Sequence, residues 1–230
     1  MAAVESGINS IALTWDEFVV AWARAYDGYE LTHAPQWRRS VMRGIHRLAV
    51  VGARVGVKPS ATLIVSAVSS CFVPLLTWQG GVWPVAAVLA LAFGLGADQL
   101  TGALWVLSGG TTRLGSFYQS LLDRLAEACW LIALALFGTH LAAVITCAAL
   151  VWAHEYVRAR GNLGRTAVGT LGDRSTRVWL VIVGLLLGAV SAQLSRDLAA
   201  GVVTMVVFVW AAFALIGVCQ LIAIIRKVLA

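Results

Sequence analysis

Charged residues in this chain are nearly confined to short intervals between long apolar runs. Uncharged stretches cover residues 60–81, 82–97, 128–153, 178–195 and 198–225. About 20 residues of helix cross the hydrocarbon core of a bilayer, so each run has the length of a membrane span or close to it. Reading the second run through to residue 108 and starting another helix near Ser116 adds a sixth span, which places Asp98, Asp123, Arg124 and Glu127 inside helices. Gly80-Gly81, Gly109-Gly110 and Gly138-Thr139-His140 stand where one helix should stop and the next begin, so the spans are expected to form hairpins. Ahead of them, Trp15, Phe18, Val19 and Trp22, then Trp37, Val41, Ile45, Leu48 and Ala49, recur at helical spacing among arginines. That pattern predicts one or two amphipathic helices lying in the membrane interface. The expected architecture is an all-α membrane protein, with an interfacial region over residues 1–54 and a six-helix transmembrane domain over 55–230.

Composition agrees with the pattern. The 230 residues are 60% hydrophobic and only 12% charged, with a mean hydropathy of +0.85. A soluble domain carries roughly 25% charged residues, because water must be met by polar surface. With the amino terminus in the cytoplasm, only Arg196 of the 17 Lys and Arg residues falls outside, and both termini face the cytoplasm of a cytoplasmic (inner) membrane. The net charge of +6 is then explained by orientation and anionic headgroups, and nucleic acid is not expected as a partner. No signal peptide is expected in the first residues. Cys71, Cys129, Cys147 and Cys219 are scattered singly through apolar spans and read as small buried hydrophobes.

Three carboxylates inside spans need a reason to exist, since each costs several kcal/mol unless it meets a partner, water or a cation. Asp98 lies about 15 Å from the cytoplasmic end of the second span and Asp123 about 10 Å into the third. The two therefore approach one depth from opposite directions. Asp98, Thr101 and Gly102 share one helix face, as do Gly115, Gln119 and Asp123. Facing each other, these sets would form a polar pocket open to the cytoplasm. Gly102 and Gly115 fit close approach by a ligand and equally fit tight helix packing.

The run DQLTGALWVLSGGTTRLGSFYQSLLD, from Asp98 to Asp123, resembles the signature of the CDP-alcohol phosphotransferases, D-x-x-D-G-x-x-A-R followed after a short spacer by G-x-x-x-D-x-x-x-D. Asp98, Gly102, Gly115 and Asp123 match without a gap. Thr101 and Gln119 stand where the second and third aspartates belong, and Trp105 and Val106 replace the Ala-Arg pair. Val57-Lys58-Pro59-Ser60 is similar to the family's entry to its first span, with Thr62 one place early. Glu155-Tyr156-Val157-Arg158-Ala159-Arg160 is similar to the end of the fourth helix, especially in actinobacterial members. Gly172-Asp173-Arg174-Ser175-Thr176-Arg177 resembles the E-R-P-x-R opening of the fifth. The resemblance covers roughly residues 35–225 and implies an integral membrane enzyme of phospholipid biosynthesis that moves a phosphate-linked group from a CDP-alcohol, often CDP-diacylglycerol, to an alcohol. It implies metal ligation by Asp98 and Asp123, with Asp123 as base, a nucleotide against Gly102 and Gly115, and phosphate or headgroup binding by Arg158, Arg160, Arg174 and Arg177. A homodimer is also implied.

Two Mg²⁺ ions bring four positive charges, which four aspartates balance; Asp98 and Asp123 supply half of that. Thr101 and Gln119 offer neutral oxygens, leaving room for at most one weakly held Mg²⁺ or Mn²⁺. The expectation is a family member with lost or strongly reduced transferase activity, a pseudoenzyme that binds lipid or nucleotide or supports a partner. The alternative is an active transferase using CDP-diacylglycerol or another CDP-alcohol with an altered metal site. A small transporter with Asp98 and Asp123 in its path is disfavoured by the lack of internal repeats. For the arginines, positive-inside anchoring is an equal alternative to phosphate binding. Glu127, one turn beyond Asp123, is expected to partner Arg124 or a helix neighbour, His154 to hydrogen-bond at the interface, and the GxxxG of Gly184 and Gly188 to mark helix packing.

The charge asymmetry generates a topology that labelling can read. In a cysteine-free background, a cysteine introduced near Arg165 is expected to react only from the cytoplasmic side, and one beside Arg196 only from outside.

Overall fold

The computed structural model describes residues 13–26, 30–161 and 169–229. Arg165, and with it the middle of the fourth connection, lies outside the described residues. Eight α-helices follow one another: α1 (Trp15–Ala25), α2 (Gln36–Arg54), α3 (Pro59–Trp78), α4 (Trp83–Leu107), α5 (Arg113–Ala135), α6 (Leu141–Arg160), α7 (Arg174–Ala192) and α8 (Arg196–Leu229). No strand occurs among the described residues. Helices α3, α4, α6, α7 and α8 are long and apolar enough to cross a membrane. Helix α5, the sixth of the expected spans, has 23 residues, the length of a span, but carries Arg113, Asp123, Arg124 and Glu127 along it.

The turns explain where the helices stop. Gly80 and Gly81 take φ of 68° and 56° between α3 and α4, and Gly109 and Gly110 take 89° and 118° between α4 and α5. Residues with a Cβ are strained in that region, so paired glycines let the chain reverse within a few residues. Gly138, between α5 and α6, adopts 88°.

The described residues fall into two compact units. One takes in those up to Val68 together with Phe93–Leu122; the other takes in Ser69–Ala92 and those from Asp123 onward. In the first unit, α1 begins in a capping box: the Thr14 hydroxyl accepts from the Glu17 N–H, while the Thr14 backbone N–H and hydroxyl both donate to the Glu17 carboxylate at 2.8 Å. Those bonds, the backbone one foremost, hold the Glu17 carboxyl below its ordinary range. Helix α1 buries Phe18 and Trp22, and α2 buries Met42, Ile45 and Ala49, in one cluster with Leu31 and with Ala103, Leu104, Val106 and Leu107 of α4. His46 Nε2 lies 3.1 Å from the Leu13 carbonyl, and Arg43 stacks 5.4 Å over the Trp15 ring. Trp37, Val41, Leu48, Val51 and Val55 of α2 stay exposed. At 100° per residue they form a single stripe, distinct from the buried face, as an interfacial helix requires.

In the second unit, α6 and α7 both pack along α8. Glycine permits this: a Cβ on Gly188 would stand 2.8 Å from the Phe137 ring and 2.9 Å from Val203, and one on Gly184 2.8 Å from Leu134. The GxxxG pair therefore marks packing inside the bundle. Gly188→Ala is expected to cost about 1–3 kcal/mol through overpacking, whereas Gly201→Ala, where a Cβ meets nothing within 4 Å, should be neutral. Thermal unfolding in detergent compares the two.

Candidate functional site

Asp98 and Thr101 stand one turn apart on α4, both buried. The Thr101 hydroxyl is 2.9 Å from the Ala97 carbonyl and 2.7 Å from Thr62 Oγ1. The Thr62 hydroxyl donates in turn to the Pro59 carbonyl at 2.9 Å. On α5, the Gln119 carboxamide donates to Asp98 Oδ1 at 3.5 Å. Gly102 and Gly115 are closely approached, as their lack of a side chain suggested, by aromatic groups of the same unit. A Cβ on Gly102 would lie 2.5 Å from the Tyr26 hydroxyl, and one on Gly115 3.3 Å from the Trp105 ring. Tyr26 stacks on Trp22 with ring centres 4.2 Å apart, so the end of α1 rests on the Gly102 face of α4.

Asp98 belongs to the first unit and Asp123 to the second. Asp123 is buried, with Arg174 Nη1 2.9 Å from its Oδ1. One turn further along α5, Glu127 is completely buried between two arginines: Arg124 Nη1 is 2.6 Å from Oε2 and Arg177 Nη1 2.6 Å from Oε1. Arg177, itself only 1% exposed, uses its whole guanidinium. Its Nε donates to the Gly172 carbonyl at 2.7 Å, and its Nη2 donates to Glu155 Oε1 at 2.8 Å and to His154 Nδ1 at 2.9 Å.

A guanidinium has no acceptor, so His154 Nδ1 accepts and the ring proton sits on Nε2. Nε2 then donates to Thr170 Oγ1 at 2.9 Å, and Thr170 donates to Asp173 Oδ1 at 2.7 Å. Arg158 donates to the same threonine oxygen at 3.3 Å and pairs with Asp173. The Leu171 N–H donates to Gln220 Oε1 of α8 at 3.0 Å. A Cβ on Gly217 would meet the Gly172 backbone nitrogen at 2.8 Å.

This cluster departs from the sequence reading in two respects. His154 is a buried relay with no exposed surface, where an interfacial role was expected. Of the four arginines expected at a phosphate, Arg158 and Arg177 are buried against carboxylates, Arg174 is half-buried on Asp123, and Arg160 is exposed at the end of α6. Glu127 does partner Arg124, as its spacing suggested. Thr170 and Asp173 were missed; a loop threonine three residues before an aspartate at the start of a helix was the available signal.

No protein-family model matches the sequence. An archaetidylinositol phosphate synthase of Aeropyrum pernix is 30% identical over 125 residues, which span 54% of this chain and 64% of that enzyme's length. The fold is that of a Mycobacterium tuberculosis phosphatidylinositol phosphate synthase solved with CDP-DAG bound. The likeness has a TM-score of 0.63 at 21% identity and covers 80% of this chain and 94% of that one. The same enzyme solved with manganese and citrate matches at a TM-score of 0.63 and 21% identity, over 79% and 88%. Part of the sequence and most of the fold are thus similar to enzymes of the kind that the Asp98–Asp123 resemblance implies.

The Asp98–Asp123 resemblance implies divalent metal, and the donor set here does not fit a paired centre. Hard cations take acceptor oxygens, yet an amide N–H is turned to Asp98 and a guanidinium to Asp123. The Thr101 oxygen is engaged with Thr62 and Ala97. Among the described residues no three His, Cys, Asp or Glu side chains are grouped to hold an ion.

The ion pairs of the second unit make a stability prediction. Arg177→Met strands Glu127 and Glu155 and should cost about 3–5 kcal/mol, the range for breaking a buried pair by removing one partner. Adding Glu127→Leu should return part of that loss. Arg160→Ala, at an exposed position, should stay within about 0.5 kcal/mol of wild type. Thermal unfolding of the four proteins in one detergent checks the order.

Proposed function

We propose that this chain is an integral membrane protein of CDP-alcohol phosphotransferase descent in which transfer is lost or strongly reduced. It retains a role in binding lipid or nucleotide, or in supporting a partner such as a second copy of itself. The observation that carries the reading is the pairing of Asp98: it meets the Gln119 amide N–H where the signature has its third aspartate, while Asp123 meets Arg174. Transfer assisted by two metals depends on stabilising both the attacking and the leaving oxygen, and among the described residues no group of three His, Cys, Asp or Glu side chains supplies the ligands. Asp123 as a base is hindered in geometry, since its Oδ1 is taken by Arg174 Nη1 at 2.9 Å. The CDP-DAG bound by the mycobacterial neighbour gives the ligand class to try first. The exposure of Arg160 at the end of α6 supports a role for it at a headgroup phosphate, on the cytoplasmic side where the reading puts the basic residues and both termini.

A second reading, an active transferase with an altered metal site, draws on the ungapped spacing from Asp98 to Asp123 and on the burial of both aspartates. The two are separated by incubating the reconstituted protein with CDP-diacylglycerol, Mg²⁺ or Mn²⁺ and a panel of alcohol acceptors. Wild type is expected to release no CMP above a protein-free blank, while Thr101→Asp with Gln119→Asp is expected to gain paired-metal binding. CMP release by wild type would establish the second reading.

A further inference from the structure

Helix α2 divides its surface into three faces. Met42, Ile45 and Ala49 lie on the side buried with residues of α1 and α4, and the exposed apolar stripe of Trp37, Val41, Leu48 and Val51 lies about 100° round the axis from them. The third face is basic. Arg43, Arg47 and Arg54, all exposed, fall within about 40° of one another and form a row roughly 16 Å long, about 100° from the middle of the apolar stripe on its other side. With the stripe seated in acyl chains, the three guanidiniums stand beside it at the level of the headgroups, their apolar stems lying along the interface. Arg43 is steadied there by its stacking over the Trp15 ring at 5.4 Å. Nothing on α2 or on the span that follows offers these cations a carboxylate, because residues 31–97 contain no Asp or Glu.

Seating in an interface needs only the apolar stripe, which is indifferent to headgroup charge. The arginine row adds a choice of lipid. A zwitterionic headgroup carries its own ammonium beside the phosphate, whereas an anionic one leaves the phosphate charge for the protein to meet. We infer that α2 is a lipid-selecting surface, on which Arg43, Arg47 and Arg54 hold the headgroups of anionic phospholipids while the apolar stripe occupies the acyl region beneath them. Guanidinium suits the task because its fork pairs with phosphate oxygens two at a time. Each arginine near an anionic leaflet is worth about a fivefold preference, an effect that falls off within a screening length. The surface is built from residues of the first unit alone, so anionic lipid gathers along α2 whether or not transfer is lost.

The experiment uses the full-length chain in nanodiscs of phosphatidylcholine with a minority of phosphatidylglycerol. In a cysteine-free background, Val51→Cys carries a fluorophore within the apolar stripe, and nitroxide-labelled acyl chains report which lipid lies next to it. At equal content, labelled phosphatidylglycerol should quench the fluorophore more than labelled phosphatidylcholine. The excess should vanish at about 1 M salt, where the screening length is about 3 Å. Arg43→Gln/Arg47→Gln/Arg54→Gln should lower the local preference for phosphatidylglycerol about fivefold or more with an unfolding temperature near that of wild type, and Arg43→Lys/Arg47→Lys/Arg54→Lys should keep most of it. Equal quenching by the two lipids in wild type, or a preference untouched in the Gln variant, would overturn the inference. Quenching by neither lipid would overturn it too, because protein would then cover the stripe. So would a preference abolished by inorganic phosphate at constant ionic strength, because the arginines would then take the free anion. Should the Gln variant fail to fold, wild type decides alone: a preference that salt removes upholds the inference and one that salt leaves intact overturns it.

Discussion

Charge placed among apolar helices must be cancelled where it stands, and the second unit satisfies that condition with a closed set. Arg124, Arg158, Arg174 and Arg177 face Asp123, Glu127, Glu155 and Asp173, four cations against four carboxylates, with His154 and Thr170 carrying the hydrogen bonds between them. Each member is affordable only because the others are present. The start of α7, the end of α6, the second half of α5 and the short segment before α7 are all held by side chains of this set. Loss of one member exposes its partners to an apolar surround, which is why such clusters are rigid once formed.

Much of the fold was legible from the order of residues. Apolar runs gave the helices that can cross a membrane, because a helix in lipid must meet its solvent along its whole length. Paired glycines gave the turns, because only they reverse the chain so tightly. Helix α5 was harder: its charges interrupt the apolar signal, and its role is clear only when Glu127 and Asp123 are seen against Arg177 and Arg174. The spacing from Asp98 to Asp123 carried the resemblance, because spacing along two helices and a short turn survives even when ligands change.

What sequence reasoning did not reach was partner choice at long range. Arg177 and Glu127 are 50 positions apart, and nothing local distinguishes an arginine that anchors in headgroups from one that is buried. The same holds for Gly102, whose neighbours Trp22 and Tyr26 come from α1 and the residue just after it, far ahead in the chain. Glycine announces that something approaches closely; it does not say whether that is a ligand or an aromatic ring from the same protein.

Helix α8, at 34 residues, is about 51 Å long, while the hydrocarbon core is about 30 Å thick. Gln220, which holds the Leu171 N–H, stands about 36 Å along the axis from Arg196. If Arg196 marks one face of the bilayer and the helix runs near its normal, the segment before α7 is fastened at headgroup depth on the other. The helix then acts as a ruler: its length past the oily layer sets the height at which the arginines and carboxylates are assembled. Under that placement the Thr170–Asp173 end of the ionic cluster stands near the depth of the lipid phosphates, at a height set by the length of a single helix.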